Sequence, residues 1–200
     1  MRVSFVTTNP VKIASLKRVL EERGVGVDII DRDIPEIQAA EAYEVADAKA
    51  REAFRLFARP VVVNDFAFHI KALNGWPGAF VKMETERLGL GTFFRMLKTP
   101  QGHLGYACRM ENAVAYMDGA LAEPRIFTRS IPGILSPDAY EALARKEGAW
   151  VDKVFIPDGE TLALGQMTPA QFEAWRRRGA VEGYYRDLAD WIVSRNAPTG

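Results

Sequence analysis

Three observations predict an α/β fold for this chain of 200 residues. Short apolar runs at residues 3–6, 25–30 and 61–63 read as buried strands. Between them lie two stretches with helical spacing. Ile13, Leu16, Val19 and Leu20 mark the first, and Val45, Ala46, Lys49, Ala50, Ala53, Phe54 and Phe57 the second. The strand–helix–strand–helix–strand order that results belongs to an α/β core.

The elements follow in order. The first strand feeds directly into a helix: Asn9 supplies the N-cap, and Pro10 suits the first helical position because its missing N–H is not needed there. Gly24 ends that helix, and a polar stretch at 31–38 follows the second strand. The second helix spans about 41–57, stopped by Arg59-Pro60, and the third strand ends at Asn64-Asp65. Residues 66–73 lead into the turn-rich loop Asn74-Gly75-Trp76-Pro77-Gly78, and 86–97 reads as one helix despite Gly89 and Gly91. The long, partly alternating run 104–117, the turn Asp118-Gly119 and the return 120–131 predict a hairpin. Ser136-Pro137 opens a short helix to about 146, and 154–156 is strand-like. Thr168-Pro169 repeats the cap-plus-proline start for a helix over 170–177, and a last helix covers about 181–193. No internal repeat or low-complexity segment interrupts the chain, which is expected to form one domain of two lobes, 104–160 lying in the second.

Composition removes several function classes. With 26 basic and 26 acidic residues there is no global field to attract nucleic acid or anionic membrane, and Arg176-Arg177-Arg178 is too short to change that. A single cysteine, Cys108, excludes an internal disulfide and a cysteine-rich metal site; in its alternating run it reads as a buried inert thiol. No signal peptide or membrane-length apolar run is evident, so a cytoplasmic location is expected. His69 and His103 are too isolated for a triad or a zinc site, and His69, among Phe66, Phe68 and Ile70, reads as structural. Ser4 and Ser130 have no identifiable base.

The chemistry-bearing residues cluster at strand ends. A helix N-terminus after a strand favours anions, and Thr8, Asn9 and Lys12 share that first turn, so a phosphate site is expected there. An ordinary capped helix with a solvated lysine would use the same residues. Glu36 lies in the extended segment Asp33-Ile34-Pro35-Glu36-Ile37-Gln38, and Asp65 closes an apolar strand, where α/β sheets place working residues. Such hard oxygen donors suit magnesium, which takes one or two carboxylates plus substrate phosphates. The combination reads as metal-assisted attack of water on a phosphoanhydride in a nucleotide-sized cleft. Lys49 and Lys82 are candidate outer phosphate contacts, and Trp150 and Phe155 could sandwich a base, although either aromatic would equally suit a core.

Taken together, these segments resemble the inosine triphosphate pyrophosphatase family, which hydrolyses non-canonical purine nucleoside triphosphates to monophosphate and pyrophosphate. Thr8-Asn9-Pro10-Val11-Lys12 is similar to its T-x-N-x-x-K motif, and residues 33–38 to its D-x-P-E-I-Q segment, whose glutamate binds the metal. Lys49 falls where the family has a helix lysine, and residues 59–65 resemble its strand ending in an acidic pair. Residues 72–82 look like A-L-G-G-x-P-G-x-Y-x-K. The resemblance implies an elongated mixed β-sheet with flanking helices around a central cleft, a magnesium ion, a nucleoside triphosphate substrate and a homodimer.

The departures are as specific as the matches. The family's glutamate three residues after the lysine is Ser15, and the first acid of its pair is Asn64, which should weaken metal binding or shift the base's pKa. Its W-D-P-x-F segment appears as Trp150-Val151-Asp152-Lys153-Val154-Phe155, one residue longer. Its closing K-N-x-x-S-H-R becomes Arg178-Gly179-Ala180-Val181-Glu182-Gly183-Tyr184, so the side chains that read the 6-keto group and base edge are replaced. The expected function is a magnesium-dependent nucleotide pyrophosphohydrolase. Asp65 would act on the water and Glu36 help hold the metal, while Thr8, Asn9, Lys12, Lys49 and Lys82 face phosphate. Trp150 and Phe155 would stack the base, and Arg178 and Glu182 read it. An acceptor at Glu182 predicts amino-bearing bases favoured over inosine. A nucleotide-binding relative without turnover, or a hydrolase repurposed in biosynthesis, are the alternatives.

Overall fold

A computed structural model describes residues 1–143, 151–178 and 182–196. Among these, nine strands and seven α-helices alternate along the chain. They are β1 (Arg2–Val6), α1 (Pro10–Glu21), β2 (Gly26–Ile30), α2 (Ala42–Phe57), β3 (Val61–Ile70), β4 (Pro77–Gly78), α3 (Val81–Leu88), α4 (Leu90–Leu97), β5 (Lys98–Thr99), β6 (Gly102–His103), β7 (Ala107–Met117), β8 (Arg125–Leu135), α5 (Pro137–Leu143), β9 (Phe155–Pro157), α6 (Pro169–Arg177) and α7 (Gly183–Arg195). The main sheet runs β2-β1-β3-β7-β8-β9, with β4 also pairing β3. It is mixed: β2, β1 and β3 are parallel, and β7, β8 and β9 continue antiparallel.

The expected hairpin is β7 and β8, paired from Ala107↔Ile134 to Tyr116↔Arg125. Two expectations are corrected. The third strand does not stop near Asp65 but continues to Ile70, because Phe68 and Ile70 pack into one core and Ala67 into another, on opposite faces. The single helix at 86–97 is two, α3 and α4, divided at Gly89, whose φ of +71° is left-handed.

The strand lengths position the site. β1 pairs with β3 only at Ser4↔Val61 and Phe5↔Val62 before the chain turns away into α1. β4 covers the same edge further along, at Phe68 and His69. Between them, residues 63–67 of β3 have no strand partner on that side among the described residues. On one face of this gap α2 packs through Ala42, Ala46, Ala50 and Ala53, all fully buried. A stripe of residues this small lets the helix axis approach the sheet closely. On the other face, α1 and α7 pack through Leu16, Val19, Leu20, Tyr184, Tyr185, Leu188 and Ile192.

Candidate active site

The gap opens into a cleft of about 660 Å³, lined from both faces of the sheet. Its first wall starts at the turn into α1. Asn9 caps the helix as expected: its Oδ1 accepts from the amides of Val11 (2.9 Å) and Lys12 (3.2 Å). Such a cap stabilises a helix by about 1 kcal/mol. The Ile13 amide bonds back to the Asn9 carbonyl at 3.1 Å. The cap and the first helical bond thus occupy the amides of Val11, Lys12 and Ile13. Attraction for an anion rests on side chains instead, chiefly the Lys12 ammonium. Burial pushes Lys12 down to about 8, with Asp65 opposing and Lys49 adding to the fall. Thr8 lines the cleft beside it and donates to Asp33 Oδ1 at 3.4 Å.

Lys49 reaches off α2 to lie between two carboxylates, 2.8 Å from Glu36 Oε1 and 3.3 Å from Asp65 Oδ1. Its ammonium is mostly buried; desolvation lowers its pKa, but Asp65 and Glu36 together raise it further. Asp65, itself buried, is held above the ordinary aspartate range by burial, against the pull of Lys49 and Lys12. Glu36 is exposed at the mouth, and Lys82 is an exposed residue on the cleft's far rim. Thr8, Asn9, Lys12, Glu36, Lys49, Asp65 and Lys82 thus line one cavity.

The second wall differs from the sequence expectation. Phe155 does not line the cleft. It is fully buried in the core, edge-on to Phe68 with centroids 5.7 Å apart, because residue 155 begins β9 with its ring turned inward. Arg178 lies outside as well, ion-paired to Glu160 at 3.0 Å on the exposed surface. Trp150 falls outside the described residues. Glu182 does line the cleft, but its carboxylate has no solvent exposure and is gripped by Arg18 on one oxygen and Arg176 on the other. With both oxygens engaged, it is not a free acceptor for a base amino group. The predicted preference for amino-bearing bases loses its reader.

Arg176 and the aromatics beside it are what sequence reasoning missed. The guanidinium hydrogen-bonds Ser15 Oγ, lies 3.3 Å from Glu182, and sits over the Phe172 ring, its Cζ 5.7 Å from the centroid. Phe172 and Trp175 line the same wall. The i, i+4 spacing of Phe172 and Arg176 on a capped helix was the available signal, obscured by the neighbouring arginines.

The departures from the family pattern meet in pairs here. Ser15 and Glu182, where the pattern has glutamate and serine, contact the same guanidinium: the carboxylate has changed sides of Arg176. Asn64 and Tyr184, where the pattern has an acid and an arginine, are hydrogen-bonded to each other, Asn64 Nδ2 donating to the Tyr184 hydroxyl at 3.2 Å and to Ala113 O at 3.0 Å. Residue 64 projects from the face of β3 opposite Asp65, toward α7. The neutral Asn64 therefore answers a neutral Tyr184 and takes no part in the carboxylate pair.

A model of the Ham1 family matches residues 3–182. The chain belongs to the Ham1 family. Curated relatives include the dITP/XTP pyrophosphatase of Thermococcus kodakarensis, 29% identical over 193 residues that cover 96% of this chain and 97% of the relative. The inosine triphosphate pyrophosphatase of Tuber melanosporum is 29% identical over 162 residues, 80% of this chain and 82% of the relative. The Ham1 fold is shared with the Staphylococcus aureus Ham1 protein at a TM-score of 0.73 and 18% identity, covering 98% of this chain and all of that one (100%). No helix among the described residues is long and apolar enough to cross a membrane.

Proposed function

We propose that this Ham1 protein hydrolyses a purine nucleoside triphosphate to the monophosphate and pyrophosphate, with a divalent metal, and that its base wall selects keto purines. One observation carries the reading: the buried Lys49 ammonium lies between Asp65 and Glu36, beside Lys12. A cation held between two converging carboxylates marks a position a metal suits, and the hard oxygens fit magnesium. Glu36 and Asp65 would hold it, and when bound it would neutralise phosphate charge.

The chain's own groups supply the rest. Lys12, Lys49 and Lys82 with Thr8 and Asn9 bind the phosphates and offset the charge that builds up in the transition state. Asp65, its affinity for a proton raised by burial, accepts the proton of the attacking water. Phe172 and Trp175 flank the base. Arg176 gives one guanidinium nitrogen to Ser15 and Glu182 and has further N–H donors for the base edge; a guanidinium has no acceptor, so it pairs with keto oxygens and not with an amino group. The relatives named for dITP, XTP and inosine triphosphate support the same preference. The reading extends to a cytoplasmic homodimer, to be checked by sedimentation, with no nucleic acid or membrane partner.

The deciding experiment is a nucleotide panel with pyrophosphate and orthophosphate measured separately. Pyrophosphate released fastest from inosine or xanthosine triphosphate, requiring magnesium, is the expected result. Preference for ATP would remove Arg176 as reader, and orthophosphate as the product would overturn the proposed scissile bond.

A further inference from the structure

We infer that Glu41, His69 and Glu111 form a binding site for a first-row divalent cation, zinc in the first instance, separate from the phosphate wall. Glu41 is the residue before α2, His69 lies near the end of β3, and Glu111 lies on β7. One donor atom from each lies within 4.8 Å of the others. His69 Nε2 is 3.3 Å from Glu111 Oε2 and 3.6 Å from Glu41 Oε2. Ligand atoms bound to one ion at about 2.1 Å stand about 3.0–3.4 Å apart, so these spacings need little adjustment.

The histidine points to a ligand. It is only 5% exposed, and its Nε2 is buried without a hydrogen-bond partner among the described residues. Its Nδ1 lies 3.2 Å from the Gly75 carbonyl, which can only accept, so an N–H at Nδ1 donates there and Nε2 is the ring nitrogen turned toward the two carboxylates. A ring fixed by a backbone carbonyl on one nitrogen and left open on the other is the usual arrangement of a metal-bound histidine. Nε2 and the two carboxylates converge on one point, which a cation suits.

Arg109 supplies part of that charge, 2.6 Å from Glu111 Oε2 and 3.2 Å from Glu41 Oε2. Two carboxylates against one guanidinium leave one negative charge. The Arg109 side chain is 38% exposed, so it can turn outward as an ion enters. Imidazole with carboxylate selects zinc or manganese over magnesium, which separates this site chemically from the Glu36–Asp65 pair. It is also four residues from Asp65 along β3, about 13 Å.

The site would act as a clamp. The Ala79 amide donates to Ala40 O at 2.8 Å, and Gly78, at φ +61°, lies so close that a Cβ there would be 2.5 Å from the same oxygen. An ion bound to Glu41, His69 and Glu111 would fasten this contact, and with it the loop leading to Lys82.

The test is calorimetric titration of zinc into the chelator-treated protein with magnesium saturating. A single zinc per chain is expected, weakened at least about tenfold by His69→Gln and by Glu41→Gln. Arg109→Ala should tighten it by removing the competing cation. Glu41 is partly exposed, so Glu41→Gln decides should His69→Gln fail to fold. Asp65→Asn should leave zinc uptake intact while it removes turnover, so this inference and the proposed activity fail separately. No uptake under magnesium, uptake unchanged in the Glu41 variant, or uptake abolished by Asp65→Asn overturns it.

Discussion

The two walls of the cleft, one proposed to face phosphate and the other the base, are built in different ways. The phosphate wall is assembled from short contiguous stretches: a capped turn, an extended acidic segment, a lysine on α2 and an aspartate on β3. Each carries its spacing in the sequence, and each lines the cavity. The base wall depends on pairs from distant segments. Ser15 and Arg176 are separated by 161 positions, Asn64 and Tyr184 by 120. A carboxylate on either side of such a pair can keep the contact, as Glu182 does with Arg176 while Ser15 faces it from the other side.

The sharpest way to separate the walls is Asp65→Asn. Turnover should fall by about 10²–10⁴-fold, the range for a general base, with KM little changed. Full activity in that variant would move the chemistry off this wall.

Glu182→Gln comes next. Leaving two guanidinium groups around an uncharged, buried side chain should lower stability by about 3 kcal/mol in urea unfolding, the low end for a broken buried pair because Arg18 keeps Glu22. If the exchange across Arg176 is real, Ser15→Glu should recover part of the loss in Glu182→Ser. A double variant no better than the single one breaks the comparison.

The phosphate wall also predicts a pH effect. Lys12 is held at about 8, below its ordinary 10.5, so between those values the unfolded chain binds more protons than the folded one. Stability without nucleotide should therefore rise with pH across that window, and Lys12→Met should flatten the rise. Polyphosphate draws the proton back, so nucleotide affinity should fall as pH passes 8, measured by titration at several pH values. The smallest effect is expected from Tyr184→Phe. It removes one hydroxyl from Asn64, whose amide keeps Ala113 O, and should lower stability by about 1 kcal/mol with turnover intact.

What the sequence made legible follows the same division. The α/β order, the cap at Asn9 and the gathering of Thr8, Lys12, Glu36, Lys49 and Asp65 in one cleft could be read because helix starts and strand ends leave local chemical marks. The continuation of β3 to Ile70 could not, since both its faces are buried and the polar–apolar alternation that announces a half-exposed strand is lost. Phe155 looked like a base platform because an aromatic near a loop has no label saying which way it turns. Arg176 looked like part of a short basic run from which only Arg178 was expected at the base, and His69 looked isolated. Their partners, Ser15 and Glu182 for the one, Glu41 and Glu111 for the other, come together only when the sheet forms.

The short uncovered run at residues 63–67 has a consequence beyond catalysis. Bare backbone along a sheet margin invites another chain to add itself as a strand, and a long flat margin is a route to aggregation. Here β1 closes one end and β4 the other, leaving five residues, about 17 Å, too brief and too recessed to template such an addition. An opening roomy enough for a small ligand is thereby denied to a polypeptide.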